Sequence, residues 1–152
     1  MKFTAYEMKY TADIVQCSNI NCIPFEEKYF PDYMRIYNEC FYDMRKALER
    51  KPYNYLSEYE QIVNNINNIY LLIDNNEIIG SVACYGNELD DLIVNKKYQN
   101  NGYGKQLLLW GMKLIRRNNN DPITLHVAKW NENALKLYIS VGFAISNTEV
   151  IG

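Results

Sequence analysis

The segment from Leu92 to Leu108 constrains this chain more than any other. An apolar run, Leu92-Ile93-Val94, is followed by the polar turn Gln99-Asn100-Asn101-Gly102-Tyr103-Gly104 and then by an amphipathic helix. A strand must therefore hand over to a helix through a tight bend. Such a bend can aim several backbone N–H groups at one point, and the first helical turn adds donors that lack intrahelical acceptors. The segment predicts an anion cradle suited to a phosphate. Gly102 and Gly104 carry no Cβ, so the backbone can turn sharply and a ligand can approach closely. Of two common phosphate motifs, one is excluded by spacing and the other fits poorly. A Walker A loop would need a glycine where Gln99 stands, and a dinucleotide fingerprint would need a third glycine near Leu107.

The remaining pattern places this turn in a mixed α/β (α+β) domain. Extended pieces between Phe3 and Cys17 supply a first strand. Pro31 to Arg50 reads as a helix, with Met34, Tyr37, Phe41, Met44 and Leu48 at helical spacing and Pro31 in its first position. Ser57-Glu58-Tyr59-Glu60 has the form of a capping box and predicts a second, shorter helix through Ile62, Val63 and Ile66. Three antiparallel strands follow: Ile69 to Ile73, Ile78 to Tyr85 and Glu88 to Val94. They are joined by turns at Asn75-Asn76 and Gly86-Asn87. The helix after Gly104 stops before Pro122, and Ile123 to Val127 is a strand. A helix capped by Asn131 or Asn133 runs to Val141, with Gly142 just past its end, and a last strand starts at Phe143. The expected architecture is a mostly antiparallel central sheet flanked by helices, in a single domain over residues 1–152.

Composition narrows the function classes. A net charge of −2 argues against a general nucleic-acid groove. The four cysteines show no paired CxxC spacing, which gives a zinc site no support and points to reduced thiols in the cytoplasm. No apolar leader follows Met1-Lys2-Phe3-Thr4, and no apolar run is long enough to span a bilayer.

With these motifs in place, the chain resembles the GNAT superfamily, the GCN5-related N-acetyltransferases. The resemblance rests on the Leu92-Ile93-Val94 strand, the Gln99-x-x-Gly102-x-Gly104 turn and the Asn131…Leu137-Tyr138…Gly142-Phe143 segment, in that order, between about Ile69 and Phe143. It implies acetyl-CoA as donor and no metal. The backbone of Leu92, Ile93 and Val94 would pair with the pantetheine arm like an added strand. Gln99, Asn100, Asn101, Gly102, Tyr103, Gly104 and Lys105 would hold the pyrophosphate. Asn131 would hydrogen-bond the pantetheine or cap its helix, and Tyr138 would direct its hydroxyl at the thioester sulfur. Many relatives carry a basic residue just before the first glycine; Asn101 stands there in this chain.

The resemblance implies transfer of an acetyl group to a primary amine by direct attack in a ternary complex. A base or a water chain must first deprotonate the ammonium. Glu88 occupies the position where histone-type relatives place a catalytic Glu. Asp90 shares its strand parity, and His126 lies on the following strand. The acceptor is expected to be a small-molecule or peptide amine, with no nucleic-acid or membrane partner and with homodimer formation open. Two other readings stand beside this one. The first is a non-catalytic acyl-CoA-binding or regulatory domain of the same fold, and the second is a nucleotide-phosphate-binding protein of another fold.

Overall fold

The computed structural model describes residues 2–152; Met1, where the single-domain expectation begins, lies outside them. One sheet organises the chain. Its strands are β1 (Phe3–Tyr10), β2 (Ile23–Pro24), β3 (Ile69–Asp74), β4 (Glu77–Tyr85), β5 (Glu88–Val94), β6 (Ile123–Ala128) and β7 (Ala144–Ile151). Their spatial order is β2-β3-β4-β5-β6-β1-β7. Every neighbouring pair is antiparallel except β5 and β6. Three α-helices flank the sheet: α1 (Phe30–Ala47), α2 (Tyr103–Arg116) and α3 (Glu132–Val141).

The central meander follows local turn chemistry. Asn75 and Asn76 both adopt positive φ, 50° and 60°, as a two-residue hairpin turn demands, and Gly86 does the same at 61°. β4 is buried from Ile78 to Cys84 because it is covered on both faces. On one face, Leu107, Leu108 and Met112 of α2 pack with Val82, Leu89 and Leu125. On the other, Tyr33 and Ile36 of α1 pack with Ile69, Ala83 and Ile93. Gly111 permits the close approach of α2, since a Cβ there would lie 2.7 Å from Leu89 Cδ2.

Some local expectations need correction. The helix predicted after Ser57 is two 3₁₀ segments, Tyr59–Gln61 and Val63–Asn68. Asn64, Asn65, Asn67 and Asn68 compete for backbone hydrogen bonds and do not sustain an α-helix. The side chain that caps this segment belongs to Gln61, whose Oε1 accepts from the Glu58 amide at 2.9 Å, so the predicted Ser57–Glu60 box is displaced by one residue. The first strand, Phe3–Tyr10, falls within the predicted stretch, whereas α1 ends at Ala47 rather than Arg50, before Glu49 turns to φ 54°. The deeply buried residues of α1 are Tyr33 and Ile36, one step round the helix from the predicted apolar stripe.

The end of β5 is held by a buried polar side chain. Asn95 donates from Nδ2 to the Ile78 carbonyl at 3.0 Å, and its Oδ1 accepts from the Lys97 amide at 3.2 Å. Its own amide donates to the Ile79 carbonyl at 2.9 Å. These contacts fix where the strand stops and the turn to α2 begins. Asn95→Ala leaves two of those backbone groups without partners in a buried setting and should destabilise the fold by about 2–3 kcal/mol. Urea denaturation of the variant beside the parent protein measures this.

Candidate active site

β5 and β6 are paired in register at one position, Glu88 with Thr124, at their beginnings. Beyond that point they separate. β5 carries an extra residue there: Ser81 faces Ile93 and Ala83 faces Asp90, so Val82 is opposed by both Asp91 and Leu92. Asp91 takes up this bulge at φ 45°. The separation opens a groove of about 550 Å³. Leu92, Ile93 and Val94 form one wall. Trp130, Asn131, Asn133, Ala134, Leu137 and Tyr138, at and within α3, form the facing wall. Cys40, Phe41, Asp43 and Met44 of α1 overlook it.

One part of the groove is the polar turn. Gln99, Asn100, Gly102, Tyr103 and Gly104 all line it. Asn100 and Gly102 adopt φ of 67° and 84°, two left-handed positions two residues apart, which turn backbone N–H groups toward a common concavity. Gly102 caps α2, and the Gln106 amide is the first to reach back to the Gly102 carbonyl, at 3.3 Å. The amides of Tyr103, Gly104 and Lys105 are thus left as helix-end donors. The two glycines differ in what they supply. Gly102 provides the left-handed backbone. Gly104 has ordinary φ, and a Cβ on it would meet only Val94 and Leu137 at 3.8 and 3.9 Å.

Not every expected residue joins the groove. Asn101 turns its amide back onto the Tyr98 and Gln99 carbonyls, at 3.1 and 3.2 Å, and so braces the turn from within. Exposed Lys105 does not line the groove, so the cradle relies on backbone donors. The Val94 carbonyl already accepts from Gln99 Nε2 at 3.1 Å and from the Cys40 thiol at 3.3 Å. Asn131 lines the groove and caps α3, its Oδ1 accepting from the Ala134 amide at 3.4 Å.

The titratable groups also fall into place. Glu88 lies at the shared start of β5 and β6, outside the groove, with its carboxylate 3.0 Å from His126 Nδ1. Nε2 of the same ring lies 3.7 Å from Glu7. Tyr138 is partly buried; burial, then the nearby negative charge of Asp90, pushes its phenol up to about 12. Asp91 is pushed up to about 7 by burial and, second, by Asp90. Its charge is felt by the phenols of Tyr33, Tyr37 and Tyr85 on the α1 side of the sheet. Asp90, Asp91, Leu92, His126 and Tyr138 share a small cavity of about 40 Å³, room for about one or two waters. Sequence parity pairs Asp90 with Glu88 and passes over Asp91, because the bulge that redirects Asp91 leaves no mark in the residue pattern.

The fold has counterparts. Residues 30–143 match the model of the acetyltransferase (GNAT) family, and the chain belongs to that family. Solved structures share the fold at low identity. A GNAT-family acetyltransferase from Colwellia psychrerythraea superposes with a TM-score of 0.72 at 10% identity, covering 99% of this chain and 55% of that one. A GCN5-related N-acetyltransferase from Sphaerobacter thermophilus gives 0.69 at 16%, with 97% and 50% covered. The PaiA N-acetyltransferase from Thermoplasma acidophilum, solved in complex with coenzyme A, gives 0.66 at 17%, with 86% and 93% covered. The chain thus spans about half the length of the first two. No curated protein matches the sequence. Among the described residues no helix is long and apolar enough to cross a membrane.

Two predictions follow from the site's geometry. Gly102→Val places a β-branched residue at φ 84° and should weaken coenzyme A binding at least tenfold, read by calorimetry. Asp91→Asn concerns stability. A carboxyl raised from 3.8 to about 7 favours the folded state at low pH, and that contribution is lost as pH rises from about 4 through 7. The neutral amide avoids the loss, so the variant should be more stable than the parent at pH 8, by up to roughly 4 kcal/mol, and nearly equal at pH 4. Thermal melts at both pH values test this.

Proposed function

We propose that the protein transfers an acetyl group from acetyl-CoA to a primary amine by direct attack while both substrates are bound. The observation that carries this reading is a single groove joining the backbone-donor turn at residues 99–104 to the Tyr138 phenol along the separated edge of β5. The turn receives the diphosphate, the strand edge of Leu92 and Ile93 runs beside the pantetheine arm, and Asn131 supports it from α3. This fit is reached without a basic side chain in the turn.

The amine arrives as an ammonium, with an ordinary pKa of ~10.4, and must lose a proton to expose its lone pair. Asp91 lines the small cavity it shares with Tyr138 rather than the groove itself, and in this scheme it takes that proton through a water held there, in place of Glu88, whose carboxylate is engaged by His126. The nitrogen then forms the C–N bond and the carbonyl oxygen gains negative charge, which a backbone N–H of the Leu92–Val94 edge can stabilise. The C–S bond breaks and the sulfur leaves with its electron pair. Tyr138 hydrogen-bonds the sulfur and passes it a proton, recovering one from the newly acylated nitrogen. The proton held by Asp91 returns to solvent.

Tyr138 at about 12 stays protonated at neutral pH. A free thiol sits near 8.5, so complete transfer is uphill by roughly three to four units in water. The phenol therefore acts first as a hydrogen-bond donor while charge grows on sulfur. The acceptor in this reading is a small-molecule or peptide amine, and the chemistry needs no metal. The four cysteines are free thiols, which suits a reducing compartment such as the cytoplasm.

Tyr138→Phe should lower kcat by about 10- to 100-fold and leave coenzyme A affinity within about twofold. Unchanged turnover removes Tyr138 from this role. In the parent protein kcat/KM should rise with pH through about 7 as Asp91 loses its proton, and Asp91→Asn should lose that limb. Absence of calorimetric heat with coenzyme A on folded protein overturns the whole reading.

A further inference from the structure

A second recess of about 310 Å³ adjoins the groove. Phe3 of β1, Ala47 and Leu48 at the end of α1, and Trp130 before α3 form its apolar walls. It shares Asp43, Met44 and Trp130 with the groove, so the two spaces adjoin at these side chains. The Arg50 guanidinium lies 5.8 Å from the Phe3 ring centre, and Lys2 also lines the recess. Asp43 is exposed, and among the described residues it makes no salt bridge. The junction thus combines an unpaired carboxylate with a hydrocarbon and aromatic pocket.

We propose that this recess binds the body of the acceptor, and that the acceptor is a primary amine with an apolar alkyl or aromatic tail. The inference rests on the acetyl-transfer reading above. A carboxylate at the mouth favours a cationic head over the uncharged carbonyl of a long acyl chain, which would gain nothing from Asp43. The ammonium is drawn to Asp43, the tail enters between Met44, Leu48 and Trp130, and the nitrogen is left facing the groove where the thioester lies. A highly charged polyamine has no use for such walls, because each additional ammonium would be desolvated there without a partner.

The test uses n-alkylamines from ethylamine to hexylamine, with spermidine as the hydrophilic control and thiol release as the readout. kcat/KM should rise by about fourfold per methylene buried until the recess is full, and spermidine should fall below hexylamine. Ala47→Trp fills the recess from an exposed helix position that does not line the groove. It should raise the KM for hexylamine at least tenfold while leaving the KM values for ethylamine and acetyl-CoA within about twofold. Equal turnover of ethylamine, hexylamine and spermidine overturns the inference. So does an Ala47→Trp effect confined to octanoyl-CoA, which would assign the recess to the acyl chain. Calorimetry with hexylamine alone reads the recess without turnover. Hexylamine binding that is lost in Ala47→Trp, with no thiol release from any amine, supports the recess and overturns acetyl transfer.

Discussion

The parting of β5 from β6 is the feature on which the rest of the site depends. Two parallel strands that begin in register would ordinarily continue to exchange hydrogen bonds, and here they do so at Glu88 and Thr124 alone. The extra residue at Asp91 bends β5 away, and α2 and α3 pack with the two strands to keep the gap open. An open strand edge inside a domain is costly unless something satisfies its backbone groups. The Val94 carbonyl is already provided for by Gln99 and Cys40. The rest of the edge is available to an extended ligand, which suits it to the arm of coenzyme A.

The same bulge sets the electrostatics. Asp91 is brought into a partly buried position beside Asp90, so its carboxyl holds its proton up to about neutral pH. Asp90 also acts on Tyr138 across the shared cavity, adding to burial in keeping that phenol protonated. One strand irregularity therefore positions a group able to accept a proton near pH 7 and supports a group that keeps one. Neither setting favours stability: a buried carboxyl and a left-handed aspartate both work against the folded state. The large two-sided core around β4 compensates for them.

Most of the fold was legible where structure is decided locally. The Asn75-Asn76 and Gly86-Asn87 turns, the glycine turn before α2, Pro122 and the Asn131 and Gly142 boundaries of α3 all carry their geometry in a few adjacent residues. What stayed hidden depends on distant partners. Nothing near Phe3–Tyr10 indicates that β1 inserts between β6 and β7. The asparagine-rich stretch after Ser57 carried a plausible cap and still failed to hold an α-helix. At the site, the motif indicated Tyr138 and the turn. It could not reveal that Asn101 folds back onto the turn or that Lys105 does not line the groove. It also could not place Asp91, whose position is set by a mismatch with β4 rather than by its own neighbours.

The place of β1 has a consequence for how the molecule is assembled. Tyr6 lies against Val127 on one side and Thr148 on the other, so an early segment forms the middle of a three-stranded unit completed only by late ones. The β3–β5 meander can close by short-range turns as soon as it is made, whereas the outer part of the sheet requires loops of more than a hundred residues to shut. During synthesis β1 must wait, unpaired, until β6 and β7 have emerged. The gap between β5 and β6 lies at the seam between the meander, which closes promptly, and the outer strands, which must be gathered from distant parts of the chain.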